Sequence, residues 1–224
     1  VRLGRRIFEN LRKVLIYIAA IHVPVAALAL APLLLGLPPM ILPLHVVLIE
    51  MVIDPICSIA FENLPERPGL MQSGPRRRDE PLIGIRQLGV GVLLGVLVFA
   101  LAFAIYAWLL AQGQGEALAR TQAFVALTVA NLMLVRILAS DRPVLATLLQ
   151  RVHLPFWVIT VVVTGVIAAC VQIPGLAGLF GFASPGLPTV AGVVVVSILA
   201  MALIDLAKLL PPLRRTLAVQ SQRT

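Results

Sequence analysis

The chain alternates long apolar runs with short stretches that are polar or rich in glycine and proline. Six of these runs are long enough to cross roughly 30 Å of hydrocarbon at about 1.5 Å per helical residue. Turn residues such as "GLPP" and "QGQGE" separate them. The pattern predicts an all-α membrane bundle of six transmembrane helices that occupies residues 1–224. The predicted spans are Leu11–Leu35, Met40–Phe61, Ile83–Ala111, Leu118–Ala139, Pro155–Ile173 and Pro188–Leu210.

Composition supports a bilayer environment. Hydrophobic residues make up 60% of the chain, charged residues 12%, and the mean hydropathy is +1.01. A soluble domain carries about twice this fraction of charged residues. The sequence therefore predicts a multi-pass membrane protein whose principal surroundings are lipid.

The basic residues predict the orientation, because Lys and Arg of short loops are retained on the cytoplasmic side. Seventeen of the 18 lie in or next to the chain ends and the loops that follow the second and fourth spans, and only Arg120 lies on the opposite side. Both termini are thus expected in the cytoplasm, in a plasma membrane of bacterial type. Anionic headgroups account for the net charge of +8. The basic "GPRRR" stretch therefore gives no reason to expect a nucleic-acid partner.

The beginning of the chain does not resemble a targeting signal. Its first apolar run is too long for a signal peptide and contains Pro24 and Pro32. The chain starts with Val1, inside a basic amphipathic stretch. We expect it to be a fragment of a longer protein.

The second span contains two carboxylates within "HVVLIEMVIDPICSIAF". A charge at mid-membrane costs about 3 to more than 10 kcal/mol, so Glu50 and Asp54 require a function. Four residues apart, they would share one helix face. Pro55 cannot donate to the carbonyl of Met51, and the helix is expected to open there. Carboxylates beside bare carbonyls suit calcium, another hard cation or a proton.

Other polar or irregular positions lie in the first and fourth spans. His22 precedes Pro24 and is either a ligand or bonded to a neighbouring carbonyl. Asn131 lies in the apolar "TVANLMLV" and is either a ligand or a helix-to-helix hydrogen-bonding residue. Cys57 and Cys170 show no metal or disulfide spacing and are expected to be packing residues.

Three stretches together resemble a known family. The order of "GRRIFENLRKVLIYI", "LGLPPMILPLHVVLIEMVIDP" and "ENLPERPGLMQSGPRRRDEPLI" is similar to the last six transmembrane helices of P-type cation-transporting ATPases, in their calcium-pump-like branch. The similarity covers essentially the whole chain. It implies that the first, second and fourth spans carry the ligands of a transported cation.

The resemblance also implies roles for single residues. His22 and Glu50 fall at amide ligand positions of the family, and Asp54 falls at the ligating aspartate. Asn131 falls at a carboxylate position, so the implied metal ligands are Asp54, Glu50, Asn131 and His22. Val25 replaces a further carboxylate and Ile53 a threonine, which favours a single divalent cation or a proton-coupled site over two calcium ions. The family's copper and zinc pumps place Cys before the helix-breaking proline, where this chain has Asp54.

The family's catalytic elements do not occur in this sequence. Neither the phosphorylated "DKTGT" nor the "TGE" element is present. We therefore expect a transport module without ATPase activity of its own and without a cofactor. ATP and magnesium would bind in the N-terminal half of the pump, its implied partner. The alternatives are a stand-alone secondary cation carrier or channel, and a degenerate membrane scaffold.

Overall fold

The computed structural model describes residues 1–62, 64, 82–140 and 154–206. All regular secondary structure in these residues is helical. Five of these helices are long and apolar enough to cross a bilayer, namely α1, α4, α5, α6 and α8 as defined below. The helices are α1 (Arg2–Leu34), α2 (Pro43–Leu48), a π-helical turn (Ile49–Ile53), α3 (Asp54–Glu62), α4 (Ile85–Ala111), α5 (Glu116–Ala139), α6 (Leu154–Gln172), α7 (Pro174–Phe180) and α8 (Leu187–Leu206).

The all-α prediction is confirmed, whereas the count of six spans is not. The second predicted span consists of α2, the π turn and α3, which follow one another without a gap from 43 to 62. None of these pieces is long enough to cross a bilayer alone. The short helix α7 lies where the sequence indicated only a Gly/Pro-rich loop. The end of the sixth predicted span, after Leu206, lies outside the described residues.

Helix α1 is 33 residues long and continues through both of its prolines. At about 1.5 Å per residue it extends for about 50 Å, well beyond the thickness of the hydrocarbon. Pro24 does not break the helix. A proline removes one hydrogen bond from a helix, and here the remaining bonds and the packing of the helix keep it continuous.

Two glycines of α4 allow this helix to approach α1 closely. Among the described helices, α1 and α4 form the most extensive contact. A Cβ on Gly95 would overlap the carbonyl oxygen of Ala20 and lie 2.7 Å from the Cβ of Val23. That carbonyl is the one that Pro24 leaves without its helical N–H donor. A Cβ on Gly91, one turn earlier, would lie 3.0 Å from the carbonyl oxygen of Ile16. Such close helix approach is typical of small residues four apart in membrane proteins.

Helix α5 is the centre of the bundle. It contacts α1, α3, α4, α6 and α8, and nearly all of its side chains are buried. Arg136 lies inside this helix, with its guanidinium carbon 5.2 Å from the ring centre of Phe156 in α6. It also interacts electrostatically with Asp205 of α8. Arg136 is thus part of the core, while the other basic residues predicted to follow the fourth span lie outside the described residues.

Candidate cation site

The π-helical turn positions the two carboxylates of the second span. The N–H of Asp54 bonds to the carbonyl of Ile49, and α3 begins at Asp54 itself. Pro55 therefore falls in the first turn of α3, where a proline is tolerated. The helix is widened at this point instead of opened, which corrects the expectation of a break.

Asp54 and Glu50 have different environments. Asp54 is only 7% exposed, whereas the side chain of Glu50 is 34% exposed. In a π turn the hydrogen-bonded repeat is five residues, so positions four apart no longer stack as they do on an α-helix. Both Glu50 and His22 still interact electrostatically with the Asp54 carboxylate. The three side chains thus form one cluster between α1 and the π turn.

His22 bonds to a neighbouring backbone carbonyl, one of the two alternatives that the sequence left open, and it also contacts Glu50. Its Nδ1 lies 2.7 Å from the carbonyl oxygen of Ile18, so Nδ1 must carry a proton and donate it. Its Nε2 lies 3.5 Å from Oε2 of Glu50. Since Nδ1 already holds one proton, an attractive contact at Nε2 requires a second proton on the imidazole or one on the carboxyl. This pair can therefore hold a proton as well as contribute to a cation site.

Asn131 lies on the face of α5 that is directed toward this part of the bundle. Phe124, seven residues earlier and hence on the same face, has its ring centre 5.1 Å from that of His45 in α2. Asn131 is 1% exposed, and its Oδ1 has no hydrogen-bond partner among the described residues. An amide oxygen is therefore available in the interior of the bundle.

The candidate ligands do not by themselves form a metal site of ionisable side chains in the described part of the structure. Within the described residues, no three His, Cys, Asp or Glu side chains converge at metal-binding distances. Val25, at a position where the resemblance implied a lost carboxylate, is 7% exposed and packs in the core. Cys170 is a buried free thiol, as expected of a packing residue. The side chains of Ile53 and Cys57 lie outside the described part of the structure.

Sequence reasoning missed His45, which fixes the start of the carboxylate-bearing segment. Its Nδ1 accepts the N–H of Leu42 at 3.1 Å, so Nε2 carries the proton that it donates to the carbonyl of Phe180 at 2.7 Å. The rings of Phe180 and Phe182 stack on it, and the residue is fully buried. A histidine just after Pro43 at a helix start was the available signal. A histidine at such a position is as typical of a helix cap as of a buried core residue.

Comparisons with known proteins show the family to which the chain belongs. Residues 38–210 match the family described as "Cation transporting ATPase, C-terminus". Over 132 residues the chain is 33% identical to the "Cation-transporting ATPase pma1" of Synechocystis sp. (strain ATCC 27184 / PCC 6803 / Kazusa). That alignment covers 58% of this chain but only 14% of the relative, so the chain spans a small part of the protein that it resembles.

Proposed function

The chain belongs to the family of cation-transporting ATPase C-terminal regions, and we propose that it is the membrane transport module of a P-type pump of the calcium-pump-like branch. In this proposal the 43–62 segment completes six spans, and both chain ends lie in the cytoplasm of a bacterial-type plasma membrane. ATP and magnesium act in phosphorylation and nucleotide-binding domains that this sequence does not contain. In this proposal the chain alone forms the part of the pump that moves the cation, and ATP hydrolysis takes place in the other domains.

The observation that carries the proposal is the buried Asp54 beside Glu50 and His22 at a π-helical turn. An aspartate that is 7% exposed within an apolar span is costly unless a cation or proton compensates its charge. π turns in helices are frequent at functional sites. We assign Asp54 as the principal ligand of the transported cation, with Glu50, His22 and Asn131 as further ligands or proton carriers.

The ligand chemistry favours a hard cation. Carboxylate and amide oxygens suit calcium or another hard cation, and Asp54 occupies the position where a soft-metal site would need cysteine. Among the described residues, only Asp54 and Glu50 bring carboxylates to this turn, so a single divalent cation is favoured over two. The His22–Glu50 contact, at 3.5 Å, provides a place for a proton that is exchanged for the cation or carried itself.

Contacts at the N-terminal half of α1 can couple the site to the domains that hydrolyse ATP. Nδ2 of Asn10 donates to the carbonyl of Leu64 at 3.2 Å, just after α3. Nζ of Lys13 donates to the carbonyl of Ala139 at 3.0 Å, at the end of α5. A shift of α1 driven by phosphorylation would therefore pull on the segment that carries Asp54.

The test uses the full-length pump that contains this chain. Asp54→Asn should abolish cation-dependent phosphorylation from ATP, while phosphorylation from inorganic phosphate should survive without the cation. Glu50→Gln should lower the apparent cation affinity or shift its pH dependence. The exposed carboxylate of Glu116 offers a matched control, and Glu116→Gln should leave both properties unchanged. The assignment is wrong if Asp54→Asn and Glu50→Gln behave like that control.

A further inference from the structure

We propose that Arg120 is a positioning residue that keeps the cation pathway closed at its outer end. It does so by holding the start of the site-bearing segment against α5 and the loop between α7 and α8. The inference rests on the proposed function, because that function defines which end of the bundle faces outward. It goes further by assigning a role to the one basic residue that lies on the outer side of the predicted topology.

The guanidinium of Arg120 is buried and bound to backbone carbonyls of two loops. Its Nε and Nη2 both lie 3.1 Å from the carbonyl oxygen of Pro39, and its Nη1 lies 3.0 Å from that of Gly181. The residue is 8% exposed. The planar fork of an arginine suits this kind of fixed, multidentate contact, which a lysine cannot reproduce. Arg120 thus joins the α1–α2 loop to the α7–α8 loop across the end of α5.

The position of the α1–α2 loop depends on hydrogen bonds from side chains of other helices. Pro38 and Pro39 lack N–H groups and therefore cannot donate hydrogen bonds that would hold the loop. The hydroxyl of Tyr106 in α4 donates to the carbonyl of Pro38 at 2.7 Å, and Arg120 binds that of Pro39. The next helix, α2, begins only four residues later. The position of α2 relative to α4 and α5 is therefore set by side chains of those two helices.

The α7–α8 loop is shaped to meet these donors. Gly181 has φ +61, and a Cβ there would lie 3.4 Å from Nη1 of Arg120. Thr121, next to Arg120, donates its hydroxyl hydrogen to the carbonyl of Ala117 at 2.7 Å and accepts the N–H of Ala183 at 3.0 Å. His45 of α2 donates to the preceding carbonyl of Phe180. We call Arg120 together with the Pro39 and Gly181 carbonyls the outer clamp.

The outer clamp restricts how the site can open. While it is intact, the start of α2 cannot separate from α5, so a path to the outside must form on the α1 side of the π turn. That is the side on which His22 and Glu50 are partly exposed. If the clamp is cut, a second path opens between α2 and α5, beside the buried side chains of His45 and Leu48. Cation leaks through it, and ATP hydrolysis becomes uncoupled from transport.

The test combines Arg120→Gln with a reporter cysteine, Leu48→Cys, in a cysteine-free background of the full-length pump. Leu48 is 7% exposed and follows His45 by one turn on the same segment. In intact vesicles, a membrane-impermeant thiol reagent on the outer side should label this cysteine about tenfold faster in Arg120→Gln. Passive cation leak should rise, and transport per ATP hydrolysed should fall. Arg120→Lys should behave like Arg120→Gln, since charge alone does not restore the fork. Arg86→Gln, at an exposed arginine of α4, is the matched control.

The outcomes separate the inference from the proposed function. The outer clamp is refuted if Arg120→Gln retains cation-dependent phosphorylation but has the same labelling rate and the same passive leak as Arg86→Gln. Absence of cation-dependent phosphorylation in the unsubstituted pump overturns the proposed function instead. If Arg120→Gln does not accumulate, Gly181→Ala decides, because a methyl there strains the loop and crowds Nη1. Faster labelling of the reporter in that variant supports the clamp, and unchanged labelling refutes it.

Discussion

Replacing Gly95 by alanine should destabilise the bundle at its closest helix contact. The added methyl would overlap the Ala20 carbonyl oxygen and approach the Cβ of Val23 to 2.7 Å. Both neighbours belong to a helix that continues for 33 residues, so neither can move aside cheaply. Overpacking of this kind costs about 1–3 kcal/mol. Alanine regains at most about 1 kcal/mol through its better helix propensity. We expect a net loss of up to about 2 kcal/mol in the free energy of unfolding even when this gain is complete.

The assay is unfolding of the purified chain in mixed micelles, followed by circular dichroism as the denaturing detergent is increased. Gly89→Ala is the matched control, because a Cβ at that position of the same helix meets nothing within 4 Å. Gly91→Ala should fall between the two, since its methyl would lie 3.0 Å from the Ile16 carbonyl oxygen. The argument fails if the three alanine variants unfold at the same detergent fraction.

Two further predictions concern the whole chain. The purified chain should insert into membranes and show no cation-stimulated ATP hydrolysis, because its sequence contains no phosphoryl-transfer element; measurable hydrolysis would contradict this. Reporter tags at Gln72 and Thr224 should report the cytoplasm and a tag at Gln114 the outside, as the positive-inside bias requires. Tags at Gln72 and Gln114 on the same side would refute the six-span topology.

The helices were predictable where hydropathy alone decides them. The boundaries of α4, α5 and α6 lie within about two residues of those expected, because long apolar runs end at turn residues or charges. The effect of the prolines was not predictable from local rules. At Pro24 the tertiary packing of α1 on α4 keeps the helix continuous. At Pro55 the π turn places the ring in a first helical turn, where its missing N–H costs little.

The candidate site was predictable in its residues and only partly in its geometry. A carboxylate inside an apolar span is visible in any sequence, and so is a histidine beside a proline. The different burial of Asp54 and Glu50 depends on a π turn that no residue type specifies. The side chains that position the segment, His45 and Arg120, bind backbone carbonyls of loops far away in the chain. The spacing of residue types along the sequence does not predict such contacts.

The π-helical turn makes the length of the segment between His45 and Asp54 as important as its composition. On an uninterrupted α-helix each residue turns the chain by about 100°, and positions nine apart face opposite ways. The π turn holds one residue more than an α-helical turn, which brings Asp54 back by about 100° toward the interior face that His45 occupies. If residues 49–53 formed a plain α-helix with no residue deleted, His45 and Asp54 would remain nine apart and the Asp54 carboxylate would rotate away from that face. A homologue in which this stretch is one residue shorter would therefore keep the aspartate on the same face without any π turn.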